Sequence, residues 1–85
     1  MIRPDNIRKE ILMQLYAARP LSISAERIAR DARKAGYDFT PHEILNELIF
    51  LQDKGLVVSL NNSIGSELIF RIHALGVTYY EQEFQ

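Results

Sequence analysis

Cysteine is absent from the 85 residues, which excludes disulfide frameworks, thiolate metal sites and thiol nucleophiles. A reducing compartment is compatible with that absence, and the cytoplasm is the expected location. Long apolar runs are missing as well. No stretch approaches the ~20 residues of a membrane-spanning helix, and the opening MIRPDNIRKEI has no apolar core of signal-peptide length. Neither membrane contact nor export is expected. Glycine-rich phosphate loops and paired carboxylates are absent, and Ser22, Ser24, Ser59, Ser63 and Ser66 have no nucleophile's context. An enzyme is therefore not expected. His42 and His73 are the only histidines and fall in different elements, so neither a metal nor a cofactor is expected. An excess of positive charge is also lacking: the net charge is −1, against a strongly basic nucleic-acid binder.

What is present belongs to an ordinary globular domain, with 47% hydrophobic and 25% charged residues. A chain this short buries only ~60% of the surface it exposes unfolded. One domain over residues 1–85 with a small core is the expectation. The neutral average hides an asymmetry, because residues 1–42 hold eight basic against five acidic side chains and residues 43–85 hold two against six. Any cationic face lies in the N-terminal half.

The three prolines punctuate the chain. After Pro4, the spacing of Ile7, Ile11, Leu12, Leu15 and Tyr16 predicts a helix with one apolar face, with Asp5 or Asn6 as its cap. Pro20 ends it, and Leu21–Ile23 reads as a short extended piece able to pair with a hairpin edge. Ser24 caps AERIARDARKA, which turns Ile28, Ala29, Ala32 and Ala35 inward and Arg27, Arg30, Asp31, Arg33 and Lys34 outward. Gly36 suits a left-handed helix stop, with Tyr37 supplying the apolar contact that follows. Thr40-Pro41-His42-Glu43 then combines a capping hydroxyl, a proline at the first helical position and a glutamate placed to reach back to the cap amide. The helix it opens buries Ile44, Leu48 and Leu51 and stops at Gly55.

Beyond Gly55 the period changes from helical to two. LVVSL and ELIFRI flank the turn-forming NNSIGS and read as an antiparallel hairpin, with Val58 and Leu60 on a face with Leu68, Phe70 and Ile72. A last helix over ALGVTYYEQEF carries Leu75, Tyr79, Tyr80 and Phe84, its first turn weakened by Gly76.

Helix, strand, helix, helix, strand, strand, helix is an α+β but mostly α order, and it resembles the winged helix-turn-helix superfamily. LQDKGLV, Leu51 to Val57, is similar to the LEEKGLV that closes recognition helices of that superfamily, and IHALG, Ile72 to Gly76, resembles its ITxxG junction. His73 stands where threonine is usual, and histidine is the poorer cap. The stretches ILMQLYAARP and DARKAGYDFTPHEILNELIFLQDKGLV are also similar to small winged-helix proteins of Mu-like prophages. The resemblance implies a regulator that binds double-stranded DNA, with the outward side of the third helix in the major groove; the limited core and the aromatic end of Tyr79, Tyr80 and Phe84 point to a homodimer.

The residues favour that reading unevenly. On the outward side of the third helix stand His42, Leu45, Asn46, Ile49 and Phe50, of which only His42 and Asn46 carry base-reading groups. Glu43 and Glu47 lie on or beside that side and oppose a polyanion, and NNSIGS has no cation to clamp a phosphate. The candidate phosphate contacts are Arg27, Arg30, Arg33 and Lys34, plus Arg3, Arg8 and Lys9 near the N-terminus; alternatively the charges of the second helix form a solvated face paired with Glu26 and Asp31. The second reading is a protein-interaction module without DNA, in which Leu45, Ile49 and Phe50, joined by Tyr79, Tyr80 and Phe84, make an apolar patch for a protein partner. Core packing is the plain alternative for Leu45 and Ile49, and packing against the first helix is the plain alternative for the aromatic cluster.

Overall fold

The computed structural model describes residues 4–61 and 68–85. The order is α1 (Pro4–Ala18), β1 (Ile23–Ser24), α2 (Ala25–Lys34), α3 (Pro41–Asp53), β2 (Val57–Asn61), β3 (Leu68–Ile72) and α4 (Ala74–Phe84), the expected α+β arrangement. The three strands form one antiparallel sheet in the order β1-β3-β2. Ile23 pairs with Phe70 and Ser24 with Ile69, so the short piece after α1 does join the hairpin. It covers Ile23–Ser24 rather than Leu21–Ile23. The turn residues between β2 and β3 lie outside the described part.

α1 begins at Pro4 itself, which makes Asp5 and Asn6 first-turn residues rather than caps, since proline suits the first helical position. Its stripe of Ile7, Ile11, Leu12 and Leu15 is buried and meets Ile28, Ala29 and Ala32 from α2, Ile44, Leu48 and Leu51 from α3, and Phe70 and Ile72 from β3. Ala35 is not among them. It forms the exposed cap of α2, because the helix ends one residue earlier than its apolar spacing suggests.

Both glycine stops close in the same way. Gly36, at φ 96°, donates to the Arg33 carbonyl while Tyr37 donates to Ala32, and Gly55, at φ 77°, donates to Gln52 while Leu56 donates to Leu51. These are paired bonds that satisfy orphan carbonyls at a helix end, and they require a left-handed residue.

α3 starts with both halves of a capping box: Glu43 N–H donates to Thr40 Oγ1 at 3.1 Å, and Thr40 N–H donates to Glu43 Oε1 at 2.9 Å. Phe39, one residue before the cap, and Ile44 at the fourth helical position are both buried, the two positions of a hydrophobic staple. Thr40→Ala is expected to cost about 1 kcal/mol. In thermal unfolding this reads as a midpoint roughly 4–8 °C lower; an unchanged midpoint would mean that packing alone sets the start of α3.

The hairpin departs from expectation in its phase. Val57 pairs with Ile72 and Ser59 with Phe70, so Val57 and Ser59, not Val58 and Leu60, share the core-side face. Val57 is buried, whereas Leu60 is 40% exposed. Leu56, Val57, Val58 and Leu60 offer apolar residues in both phases, so alternation could not choose between them. The turn at Gly55 chooses, because the Leu56 carbonyl accepts from His73 N–H at 2.9 Å and fixes the register next to it. Leu68 does share a face with Phe70 and Ile72 but lies 44% exposed at the outer end of the hairpin.

α4 is capped by His73, whose Nδ1 accepts from Leu75 N–H at 3.1 Å. A ring nitrogen thus replaces the more usual hydroxyl. α4 packs on α1, with Tyr80 buried, its ring centroid 4.8 Å from that of Tyr16.

Candidate nucleic-acid interface

α2 and α3 are joined by residues 35–40, held short by the Gly36 stop and the Thr40 cap. This brings the cationic side of α2 beside the first residue of α3. Ser24, Glu26, Arg27, Arg30, Arg33 and Pro41 line one open concavity of about 490 Å³. Arg27, Arg30 and Lys34 each approach Asp31, at 3.9, 3.9 and 3.8 Å, and all three are well exposed. Such long, solvated pairs hold little energy. One carboxylate shared by three cations leaves the face positive, and Arg33 has no ion pair among the described residues. Charges so loosely held remain available to a phosphate.

On α3, His42 and Asn46 stand one turn apart and are both exposed, where a groove-bound helix presents its reading groups. Ile49, 48% exposed, continues that line. Leu45 is half-buried against the core, so the outward side is less apolar than the sequence suggests.

The two glutamates expected to repel a polyanion are engaged elsewhere. Glu43 is half-buried and bound to the Thr40 amide, and Glu47 accepts from Arg8 Nε at 2.8 Å with only 14% of its side chain exposed. Glu47 therefore turns toward α1, along a flank it shares with Phe50 and Lys54. Arg8 in turn is not a free cation. Burial pulls its pKa down, but the hydrogen bond and charge of Glu47, with a smaller part from Tyr79, outweigh that and leave it raised. Phe50, 40% exposed, is covered from two sides, by the Arg8 guanidinium 4.8 Å from its centroid and by Lys54 Nζ at 5.5 Å. Lys9 lies 6.0 Å over Phe84. Arg3 and NNSIGS beyond Asn61 fall outside the described residues.

The aromatic cluster divides. Tyr80 is 7% exposed, between Tyr16 and Phe84, so its ring is used inside the chain and not offered to a partner; Tyr79 and Phe84 are half-buried. A basic residue that the sequence reading passed over is Arg71. It is exposed on β3, opposite Val58, and is the one cation on the described parts of the two hairpin strands. The alternation F-R-I at 70–72 was the available signal. Among the described residues, no group of three or more His, Asp or Glu side chains is gathered closely enough to hold a metal ion, and no helix is long and apolar enough to cross a membrane.

No protein-family model matches the sequence, and no curated protein matches it. Solved structures do match its shape. A transcriptional regulator from Clostridium thermocellum superposes with a TM-score of 0.81 at 19% identity, over 98% of this chain and 84% of that one. A mutant of MepR from S. aureus gives 0.76 at 19% identity over 91% of this chain and 53% of its own, and a mutant of ZitR from Lactococcus lactis gives 0.73 at 16% over 93% and 55%. The chain thus spans about half the length of MepR and ZitR. At these identities the likeness establishes the fold alone, and the element order and sheet topology above are those of a winged helix-turn-helix.

Proposed function

We propose that the chain is a small DNA-binding transcriptional regulator, one winged-helix domain acting as a dimer on double-stranded DNA in the cytoplasm, of the kind its sequence resembles in Mu-like prophages. In this reading Arg27, Arg30, Arg33 and Lys34 neutralise phosphates while His42 and Asn46 face base edges. The observation that carries it is the concavity in which three α2 arginines meet the start of α3, beside an outward line of polar side chains. A backbone phosphate seated there would place α3 along the groove, because phosphate contacts set register and orientation. The ion pair of Glu47 with Arg8 and the turn of Glu43 back to its own cap weaken the electrostatic objection.

Salt titration of duplex binding tests the reading. Log affinity should fall linearly with log salt, by about 0.9 per phosphate neutralised, hence a slope of about −7 for the three arginines and one lysine of each protomer in a dimer. Absence of binding at low salt would remove the regulator reading and leave the protein-interaction module, with the exposed Ile49 as its first candidate contact.

A further inference from the structure

A second concavity, of about 310 Å³, opens where α3 ends and β2 begins, lined by Arg8, Phe50, Leu51, Lys54, Leu56 and Tyr79. Its floor is apolar, and α4 forms one wall. Leu75, one turn before Tyr79 on the same side of α4, is 59% exposed and reaches toward Gly55, where a Cβ would lie 3.9 Å from Leu75 Cδ1. The apolar wall therefore continues out of the concavity along α4, through Leu75 and Tyr79. Exposed apolar residues that cluster in this way, unlike scattered ones, mark a surface that something covers.

The charges around this surface indicate what covers it. Lys54 approaches the Phe50 ring but makes no ion pair among the described residues. At the far end of α4, Glu83 is exposed and also makes none, whereas Glu81 is already used by its own chain, accepting from Tyr16 Oη at 2.7 Å. α4 carries no basic residue. One face of one helix thus has an apolar patch and an unpaired cation beside its start, and an unpaired carboxylate near its end. A surface arranged in that way is complementary to a copy of itself turned through a two-fold axis.

We propose that two copies of the chain pair through antiparallel α4 helices crossing at Tyr79, with Leu75 of each copy covered by the other and each Lys54 meeting Glu83 of the second copy. The spacing is consistent with this. Leu75 and Glu83 stand four residues before and four after Tyr79, about 6 Å along the axis in either direction, so an antiparallel crossing sets one opposite the other. A parallel pairing would bring the two acidic ends together and is disfavoured by like-charge repulsion. The face lies on the flank of α3 that carries Glu47, Phe50 and Lys54, beside the outward line of His42 and Asn46, so pairing leaves both arginine-lined concavities uncovered. The inference deepens the dimer part of the proposed function and rests on it.

Sedimentation equilibrium without DNA tests the pairing directly. The full chain should associate to a dimer at micromolar concentration, and Lys54→Glu or Glu83→Lys should each weaken association roughly tenfold or more, because the charge pair occurs twice per dimer. The double variant should regain most of the loss. Leu75→Ser, at an exposed site, should also weaken association while the thermal midpoint of the monomer holds. A monomeric wild-type chain, single reversals that associate like wild type, or a double variant as weak as the singles would each overturn the proposal. Binding of the monomeric variants to a duplex is then measured separately. Salt-dependent binding without pairing would leave the DNA reading intact and remove only this interface, and pairing without DNA binding would do the reverse.

Discussion

Gly76→Ala is expected to destabilise the fold by about 3 kcal/mol, lowering the thermal midpoint by roughly 12–24 °C. The local rule gives the opposite sign, since alanine in a helix is favoured over glycine by about 1 kcal/mol. Packing reverses it. A Cβ at position 76 would collide with the Leu56 carbonyl oxygen, and would lie 3.0 Å from the Leu56 carbonyl carbon and 2.8 Å from Ile72 Cγ1. Two of these three atoms are backbone, and that carbonyl is held by His73 N–H, so no flexible side chain can give way. α4 would have to lift from β2, losing that bond and opening the Tyr80 contact with α1. Such a loss is a large part of the total stability of a domain this size, about 4–13 kcal/mol. Gly36→Ala serves as the control: among the described residues nothing lies within 4 Å of its would-be Cβ, so only its positive φ is strained, at a cost nearer 1–2 kcal/mol. Equal midpoint losses for the two variants would mean that the approach of α4 to Leu56 is not tight in solution.

Gly76 also shows where reading the sequence stopped. The elements were legible because their signals are local: Thr40 to Glu43 spell a capping box, Gly36 and Gly55 spell left-handed stops, and Ile44, Leu48 and Leu51 recur at helical spacing. Even β1 could be assigned to the hairpin from Ile23 and the proline before it. Features set by partners far apart in sequence were not legible. Glu47 looked like a surface charge because Arg8, thirty-nine residues away, carries no sequence mark of being its partner. Val57 and Val58 compete for the core on equal apolar terms, and the register bond from His73 to Leu56 decides between them. Tyr79 and Tyr80 are adjacent and alike, yet only the rotation of α4 on α1 buries one of them. The candidate site lies between these cases. The wheel position of His42 and Asn46 could be read directly, whereas the meeting of Arg27, Arg30 and Arg33 with Pro41 depends on the angle between two helices.

That meeting sets the largest expected functional effect. Replacing Arg27, Arg30 and Arg33 together by alanine should lower duplex affinity roughly 500-fold for each bound protomer at 0.1 M salt and reduce the salt slope by about 2.7 per protomer, the share of three phosphate contacts. Stability should change little, because among the described residues the ion pairs lost are the long, exposed approaches of Arg27 and Arg30 to Asp31. The slope separates mechanisms that a loss of affinity alone would not. If the arginines act by holding α3 in the groove through phosphates, affinity and slope fall together on every sequence tested. Asn46→Ala, by contrast, should leave the slope unchanged and weaken binding only on the preferred sequence, by roughly 1–3 kcal/mol per base contact. Lys34→Ala adds a graded check, costing about one-third of the triple variant's slope if its ammonium, 3.8 Å from Asp31, turns to a phosphate on binding. A triple variant with unchanged slope would show that the concavity beside Pro41 faces solvent in the complex, and the phosphate contacts would then have to be sought at Arg71 on the hairpin.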